Sequence, residues 1–186
     1  MGAITPDKKL YDQKTVEVFE KAGWKAFAMT RAGRYADVVG VKGSSLALIE
    51  VKSPNETSTA STYDDAANLS SELDRKIGRY LREARPKVCG FFSGKSIQKL
   101  YAVSVACQLY RYMHEFEELA PDYEKIGNGI ARLSNIRFSK TPYLVVPVEH
   151  ANEAQEAMSI LKSHGYITSY KAWQSSPICI IETSLR

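Results

Sequence analysis

The feature that most constrains the fold is a pair of short apolar runs joined by a turn. Residues 36–41 and 46–51 are rich in Ala, Val, Ile and Leu, and Lys42-Gly43-Ser44-Ser45 separates them. Apolar runs of this length around a turn-forming tetrapeptide are typical of a β-hairpin. The pattern therefore predicts two neighbouring antiparallel strands in an apolar sheet.

Three charged residues lie at one end of this hairpin. Asp37 begins the first run, while Glu50 and Lys52 end the second and, two residues apart, point to the same face. Because the start of one strand lies beside the end of the next, all three should meet. Two carboxylates in an apolar setting are costly to desolvate unless a cation lies between them, and Mg²⁺ prefers such oxygen ligands. With an ammonium to hold or activate water, the site suits metal-assisted hydrolysis of a phosphodiester.

Length and composition limit the class of protein. A chain of 186 residues is long enough for one well-cored domain with an insertion. No apolar run approaches the roughly 20 residues needed to span a bilayer, and residues 1–9 lack the apolar core of a signal peptide, so we expect a cytoplasmic location without a membrane partner. Three scattered cysteines argue against a disulfide framework or a zinc site. The net charge of +4 permits a polyanionic partner without demanding one.

The rest of the chain alternates helices and strands. An apolar stripe between Asp7 and Gly23 predicts an amphipathic helix; it is formed by Tyr11, Val16, Phe19 and Ala22, with Leu10 and Val18 adding to it. Residues 24–30 predict a first strand. After the hairpin the pattern indicates helices over 63–84 and 97–119, an irregular segment over 121–139 with a turn at 127–129, a strand over 143–148, a helix over 149–164, and strands over 166–173 and 178–181.

The helix predicted over 63–84 carries the densest positive charge, at Arg75, Lys76, Arg79 and Arg82. One interpretation is a solvated helix face. The other is a track for the phosphate oxygens of DNA, because clustered arginines on one face suit that role. Both remain open at this point.

The order of these features is similar to that of a known enzyme group. An N-terminal helix ending in Gly-Trp, three strands, Asp37 in the second strand and Glu50-Val51-Lys52 closing the third resemble the PD-(D/E)xK nuclease superfamily. The resemblance implies an α/β fold with a restriction-endonuclease-like core of helix, three-stranded meander, helix and strand, whose mixed central sheet is flanked by helices. It covers the first 52 residues well and the rest by element order, and Ala36 stands in place of the name-giving proline. We expect residues 1–186 to form a single nuclease-like domain, with a helical insertion at about 53–95.

The resemblance also assigns roles to residues. It implies a DNA-cleaving enzyme that uses Mg²⁺ or Mn²⁺, in which Asp37, Glu50 and the backbone carbonyl of Val51 bind the metal and Lys52 orients or activates the attacking water. The first helix often supplies a further acid, for which the candidates are Asp12, Glu17 and Glu20. We favour Asp12, whose placement is similar to that in archaeal Holliday-junction resolvases and which shares a face with Val16 and Phe19.

A second point of resemblance lies in the helix predicted over 97–119. Gln108 and Tyr112 resemble the Gln-x-x-x-Tyr signature of the RecB-like branch and share one helix face. In that interpretation Gln108 bonds a catalytic group and Tyr112 contacts the DNA backbone. If the helix around Arg79 instead follows the third strand, Gln108 and Tyr112 form an ordinary core pair.

The sequence leaves the type of nuclease open. An exonuclease of the RecB-like branch, a junction resolvase and a restriction-type endonuclease all fit, and a homodimer or the insertion would supply any sequence specificity. A catalytically silent nucleic-acid-binding or assembly subunit with the same fold is the alternative from a different class. The intact Asp37, Glu50 and Lys52 favour the enzyme.

Overall fold

A mixed six-stranded sheet forms the centre of the fold. The computed structural model describes residues 6–29, 36–53, 119–133, 136–163 and 167–185. Neighbouring strands run antiparallel except for β3 and β4, which are parallel, and the strand order is β1-β2-β3-β4-β6-β5. The elements are α1 (Pro6–Lys21), β1 (Lys25–Ala28), β2 (Val38–Lys42), β3 (Ser45–Val51), α2 (Ala120–Ala131), β4 (Ser139–Pro147), a 3₁₀ turn (Val148–His150), α3 (Ala151–Ser163), β5 (Ile167–Ser175) and β6 (Ile178–Leu185). The expected α/β class with a mixed sheet and flanking helices is confirmed.

The predicted hairpin is β2 and β3. Val38 pairs with Ile49 and Val41 with Leu46, while Gly43 in the turn has a φ of +59°, a conformation that suits glycine. Both strands are almost completely buried. The predicted first strand is β1, which pairs with β2 at the edge of the sheet.

The two faces of the sheet are covered by different helices. On β3, Ala47, Ile49 and Val51 belong to the apolar core under α1, whereas Leu46 and Leu48 belong to the core under α2. The alternation of side chains along a strand places Glu50 on the α2 face of the sheet. Helix α3 packs against β4 and β5.

Helix α1 forms where the sequence predicts it, but the face that it packs against the sheet differs from the predicted apolar stripe. Tyr11 and Phe19 are buried as expected, but Leu10 is 60% exposed and Ala22 is also exposed, so their assignment to the stripe is wrong. The polar residues Asp12 and Thr15 are buried in its place, and the Thr15 hydroxyl donates to the carbonyl of Tyr11 at 2.8 Å. The buried face of α1 is therefore partly polar.

The prediction of an irregular segment over 121–139 is wrong, because most of it is helix α2. Gly127 lies where the helix approaches the sheet, and a Cβ there would lie 2.8 Å from Phe138 and 3.2 Å from Leu46. Asn128 bonds through its side chain to the carbonyl of Glu124 and to both backbone groups of Ile136. Gly127 therefore allows close packing of the helix, and Asn128 anchors the loop that follows it. Neither residue forms the predicted turn.

Two alanine substitutions in α2 should have opposite effects on stability. Gly127→Ala is expected to lower the free energy of unfolding by about 1–2 kcal/mol, because the overlap with Phe138 outweighs the gain in helix propensity. Gly129→Ala, whose Cβ would have no atom within 4 Å, is the matched control and should raise it by up to about 1 kcal/mol. Urea denaturation measures both. A stabilising Gly127→Ala would contradict the packing described here.

Several predicted residues lie outside the described ranges. They are Arg75, Lys76, Arg79, Arg82, Gln108 and Tyr112, together with all but the first residue of the expected insertion at 53–95. Within residues 6–29, 36–53, 119–133, 136–163 and 167–185, no helix has the length and apolar character needed to cross a bilayer.

Candidate active site

The predicted acidic residues meet at the carboxyl end of β3. Asp37 directly precedes β2 and stands opposite Glu50, one step beyond the Val38–Ile49 pair. The Asp37 carbonyl accepts a hydrogen bond from Met29 N–H at 2.7 Å, and Lys52 N–H donates to Val145 of β4 at 2.8 Å. The backbones that carry Asp37 and Lys52 are therefore held by the neighbouring strands.

Helix α2 also positions this end of the sheet. The Tyr123 hydroxyl accepts a hydrogen bond from Ala36 N–H at 2.8 Å, and the Tyr123 side chain is buried in the core under α2. Since Ala36 directly precedes Asp37, this contact fixes the chain as it enters β2. No sequence signal identified Tyr123, because its partner is a backbone group far away along the chain.

Burial raises the pKa of the Asp37 carboxyl, and the Glu50 carboxylate lies close enough to raise it further. Asp37 Oδ2 accepts a hydrogen bond from Val51 N–H at 2.8 Å. Glu50 is 7% exposed, and its Oε1 lies 2.9 Å from Lys52 Nζ. The expectation that Asp37, Glu50 and Lys52 come together therefore agrees with the geometry.

A second ammonium enters the site from helix α1. Lys8 Nζ lies 2.7 Å from Asp37 Oδ2 and 3.5 Å from Asp12 Oδ1, and it donates to the carbonyl oxygen of Val51. Asp12 is 8% exposed and faces the site. Lys8 was not predicted, although its position four residues before Asp12 is the spacing at which helical side chains meet.

The other acids of helix α1 point elsewhere. Glu17 pairs with Lys14 at 3.1 Å on the outer side of the helix, and Glu20 is exposed. Of the three candidate acids, Asp12 is the one that lies beside Lys8 and Asp37.

The charges of the site do not balance. The carboxylates of Asp12, Asp37 and Glu50 face the ammonium groups of Lys8 and Lys52, so these five groups carry one net negative charge when all are ionised. Burial, and then the neighbouring Glu50, raise the pKa of Asp37 to about 8 against the opposing effect of Lys8. Near neutral pH the Asp37–Glu50 pair therefore retains a proton.

This retained proton predicts how stability changes with pH. Because the pKa of Asp37 is raised from 3.8 to about 8 on folding, the native state binds more protons than the unfolded state between these values. The free energy of unfolding should therefore fall as pH rises from about 4 to about 8, by at most about 1.4 kcal/mol per pH unit for one proton. Urea denaturation in EDTA across this range measures the slope.

The control for this prediction is Asp37→Asn, which cannot ionise. It should remove the contribution of Asp37, so that the difference between the wild type and the variant isolates this group from other titrating residues. Identical pH profiles for the two proteins would contradict the assignment of the proton.

The oxygen atoms around Lys8 are of the chemical type that binds divalent cations. Asp37 Oδ2 and the carbonyl oxygen of Val51 both accept hydrogen bonds from Lys8 Nζ, and Asp12 Oδ1 lies farther from it, at 3.5 Å. Carboxylate and carbonyl oxygens are the ligands that Mg²⁺ and Mn²⁺ prefer. Among the described residues, no three His, Cys, Asp or Glu side chains form a metal-binding group by themselves, so the carbonyl of Val51 would have to complete the set.

Comparisons with models of known protein families, with curated proteins and with solved structures find no match.

Proposed function

We propose that this protein is a divalent-metal-dependent nuclease that hydrolyses phosphodiester bonds in DNA. The observation that carries the proposal is the convergence of Asp37, Asp12 and the Val51 carbonyl around a single cationic group, with Glu50 and Lys52 directly beside it. Oxygen ligands next to an ammonium are the functional groups that metal-assisted hydrolysis requires.

The order of elements supports the same proposal. Among the described elements, helix α1, the meander of β1, β2 and β3, and the later strand β4 parallel to β3 are compatible with a restriction-endonuclease-like core. Asp37 directly precedes the second strand, while Glu50 and Val51 end the third strand and Lys52 follows it. These positions are close to those that the resemblance to the PD-(D/E)xK superfamily implies.

In this proposal the residues at the end of the hairpin either bind the metal or hold the attacking water. Asp37, Glu50 and the Val51 carbonyl would hold Mg²⁺ or Mn²⁺, with Asp12 as a further ligand. The bound metal would stabilise negative charge on the scissile phosphate and on the leaving oxygen. Lys52 holds the attacking water, because an ammonium has three donors and can bond a water while it pairs with Glu50.

The DNA contacts of the proposal involve residues outside the described ranges. Arg75, Lys76, Arg79 and Arg82 are proposed to contact phosphate oxygens, and Gln108 and Tyr112 to lie beside the metal site. A homodimer would supply a second set of contacts to the duplex. Cleavage at ends, at junctions or within a duplex distinguishes the three nuclease types.

One observation favours a second candidate function. The Lys8 ammonium already neutralises the carboxylates at the point where a metal would bind. A catalytically silent nucleic-acid-binding or assembly subunit would retain such an arrangement for stability. This candidate requires DNA binding or partner binding that is independent of metal.

The proposal is tested with three DNA substrates and three ionic conditions. Linear, circular and branched DNA are each incubated with the protein in Mg²⁺, Mn²⁺ or EDTA. We expect cleavage of at least one substrate in the presence of either metal and none in EDTA. Binding without cleavage on every substrate would favour the silent subunit.

A further inference from the structure

We propose that Lys8 is a built-in counter-ion of the carboxylate site, which leaves when a divalent cation binds and thereby lowers the affinity of the protein for that cation. The inference rests on the proposed function, since it concerns the same site. It adds a residue that controls metal loading and that neither the hairpin pattern nor the superfamily resemblance identifies.

The contacts of Lys8 are those of a bound cation. Its Nζ is shared by Asp37 Oδ2 at 2.7 Å, by Asp12 Oδ1 at 3.5 Å and by the carbonyl oxygen of Val51. Its side chain is only 12% exposed although it lies in the first turn of α1, close to the end of the helix. A long side chain is therefore folded inward onto the site instead of extending into water.

A metal and the Lys8 ammonium cannot occupy this point together. Two cations bound to the same oxygen atoms would repel each other strongly in a partly buried site. The charge balance also favours exchange. When all five groups are ionised, the three carboxylates exceed the ammonium groups of Lys8 and Lys52 by one charge. A divalent cation in place of Lys8 would balance the three carboxylates together with Lys52.

The position of Lys8 allows it to leave without a change of fold. It lies on the first turn of α1, whereas Tyr11 and Phe19 anchor the helix in the core. The four-carbon stem of lysine is flexible, and its ammonium is readily hydrated. Rotation of the side chain into solvent is therefore sufficient, and α1 can stay packed on the sheet.

The first test compares the Mn²⁺ affinity of the wild type with that of Lys8→Met and Lys14→Met, measured by electron paramagnetic resonance of free Mn²⁺. Methionine keeps an unbranched, helix-favouring side chain without the charge. Lys8→Met should bind Mn²⁺ at least about tenfold more tightly than the wild type. Lys14→Met is the matched control, since Lys14 lies on the same helix and pairs with Glu17 outside the site, and its affinity should equal that of the wild type.

The second test uses the unmodified protein, so it does not depend on the folding of a variant. An amine-reactive reagent is applied in EDTA and in saturating Mg²⁺, and labelling at each lysine is followed by mass spectrometry. Labelling of Lys8 should be slow in EDTA and at least severalfold faster in Mg²⁺. Lys14, which is 34% exposed, should react at the same rate in both conditions.

The outcomes separate this inference from the proposed function. Equal or weaker Mn²⁺ binding by Lys8→Met, or unchanged labelling of Lys8 in a protein that does bind metal, would overturn the role of Lys8 and leave the metal site standing. If neither the wild type nor Lys8→Met binds Mn²⁺, the metal site itself is wrong and both proposals fail.

Discussion

Asp37→Asn is expected to reduce metal-dependent DNA cleavage by about 10³-fold or more. The Asp37 carboxylate contacts the Lys8 ammonium and Val51 N–H and lies beside the Glu50 carboxyl. Removing one preorganised electrostatic group from an active site costs about 10²–10³ in rate, and a variant that also loses the metal should lose more. Gel assays of DNA cleavage in Mg²⁺ measure the effect.

The same variant should remain folded, which makes the comparison clear. The amide oxygen of asparagine can accept the hydrogen bond from Val51 N–H, and its amide group can donate to Glu50. Because the pKa of Asp37 is raised to about 8, a neutral side chain at this position resembles the metal-free site near neutral pH.

Thermal melting reports folding and metal binding together. Asp37→Asn should melt near the wild-type temperature in EDTA and lose most of the rise in melting temperature that Mg²⁺ gives the wild type. An equal rise in both proteins would show that Asp37 is not a metal ligand.

Lys52→Ala is expected to lower the cleavage rate by about 10²- to 10⁴-fold while the metal still binds, since that is the range for a group that assists proton transfer at the attacking water. Lys52 Nζ contacts Glu50, and Lys52 is not a ligand in the proposed metal site. The rate and the Mn²⁺ affinity should therefore respond separately. Cleavage that survives Lys52→Ala would reject the proposed role of Lys52.

The assay of Lys52→Ala must allow for a loss of stability. Glu50 is buried, and breaking a buried ion pair by removing one partner costs about 3–5 kcal/mol. Saturating Mg²⁺ should restore part of this loss, because the metal supplies positive charge beside Glu50. Lys42→Ala is the control, since Lys42 lies at the other end of the hairpin, where its Nζ donates to Ala22, and this variant should cleave DNA at the wild-type rate.

The hairpin and the meeting of its charged residues were predictable from the sequence. The period-two alternation of a strand determines which side chains share a face, and a short turn between two apolar runs determines their register. Asp37, Glu50 and Lys52 therefore follow from local pattern, whereas Asp12 was favoured through the family resemblance and because it shares a helix face with Val16 and Phe19.

Other features depend on long-range packing that no local pattern records. Gly127 and Asn128 look like turn residues, but the approach of Phe138 makes glycine suitable within helix α2. The β4 strand begins at Ser139, before the expected start at Tyr143, because pairing with β3 continues through Pro142. From the sequence alone Lys8 resembles a solvated helix residue, whereas in the fold it contacts the end of β3. In each case tertiary contacts override the local preference.

The most direct test of the central claim is a DNA cleavage assay on wild type, Asp37→Asn and Lys52→Ala purified side by side, in Mg²⁺ and in EDTA. The account predicts cleavage by the wild type in Mg²⁺ alone, and a loss of at least about 10²-fold in each variant. Cleavage at equal rates in all three proteins, or DNA binding by the wild type without cleavage on every substrate, would contradict it.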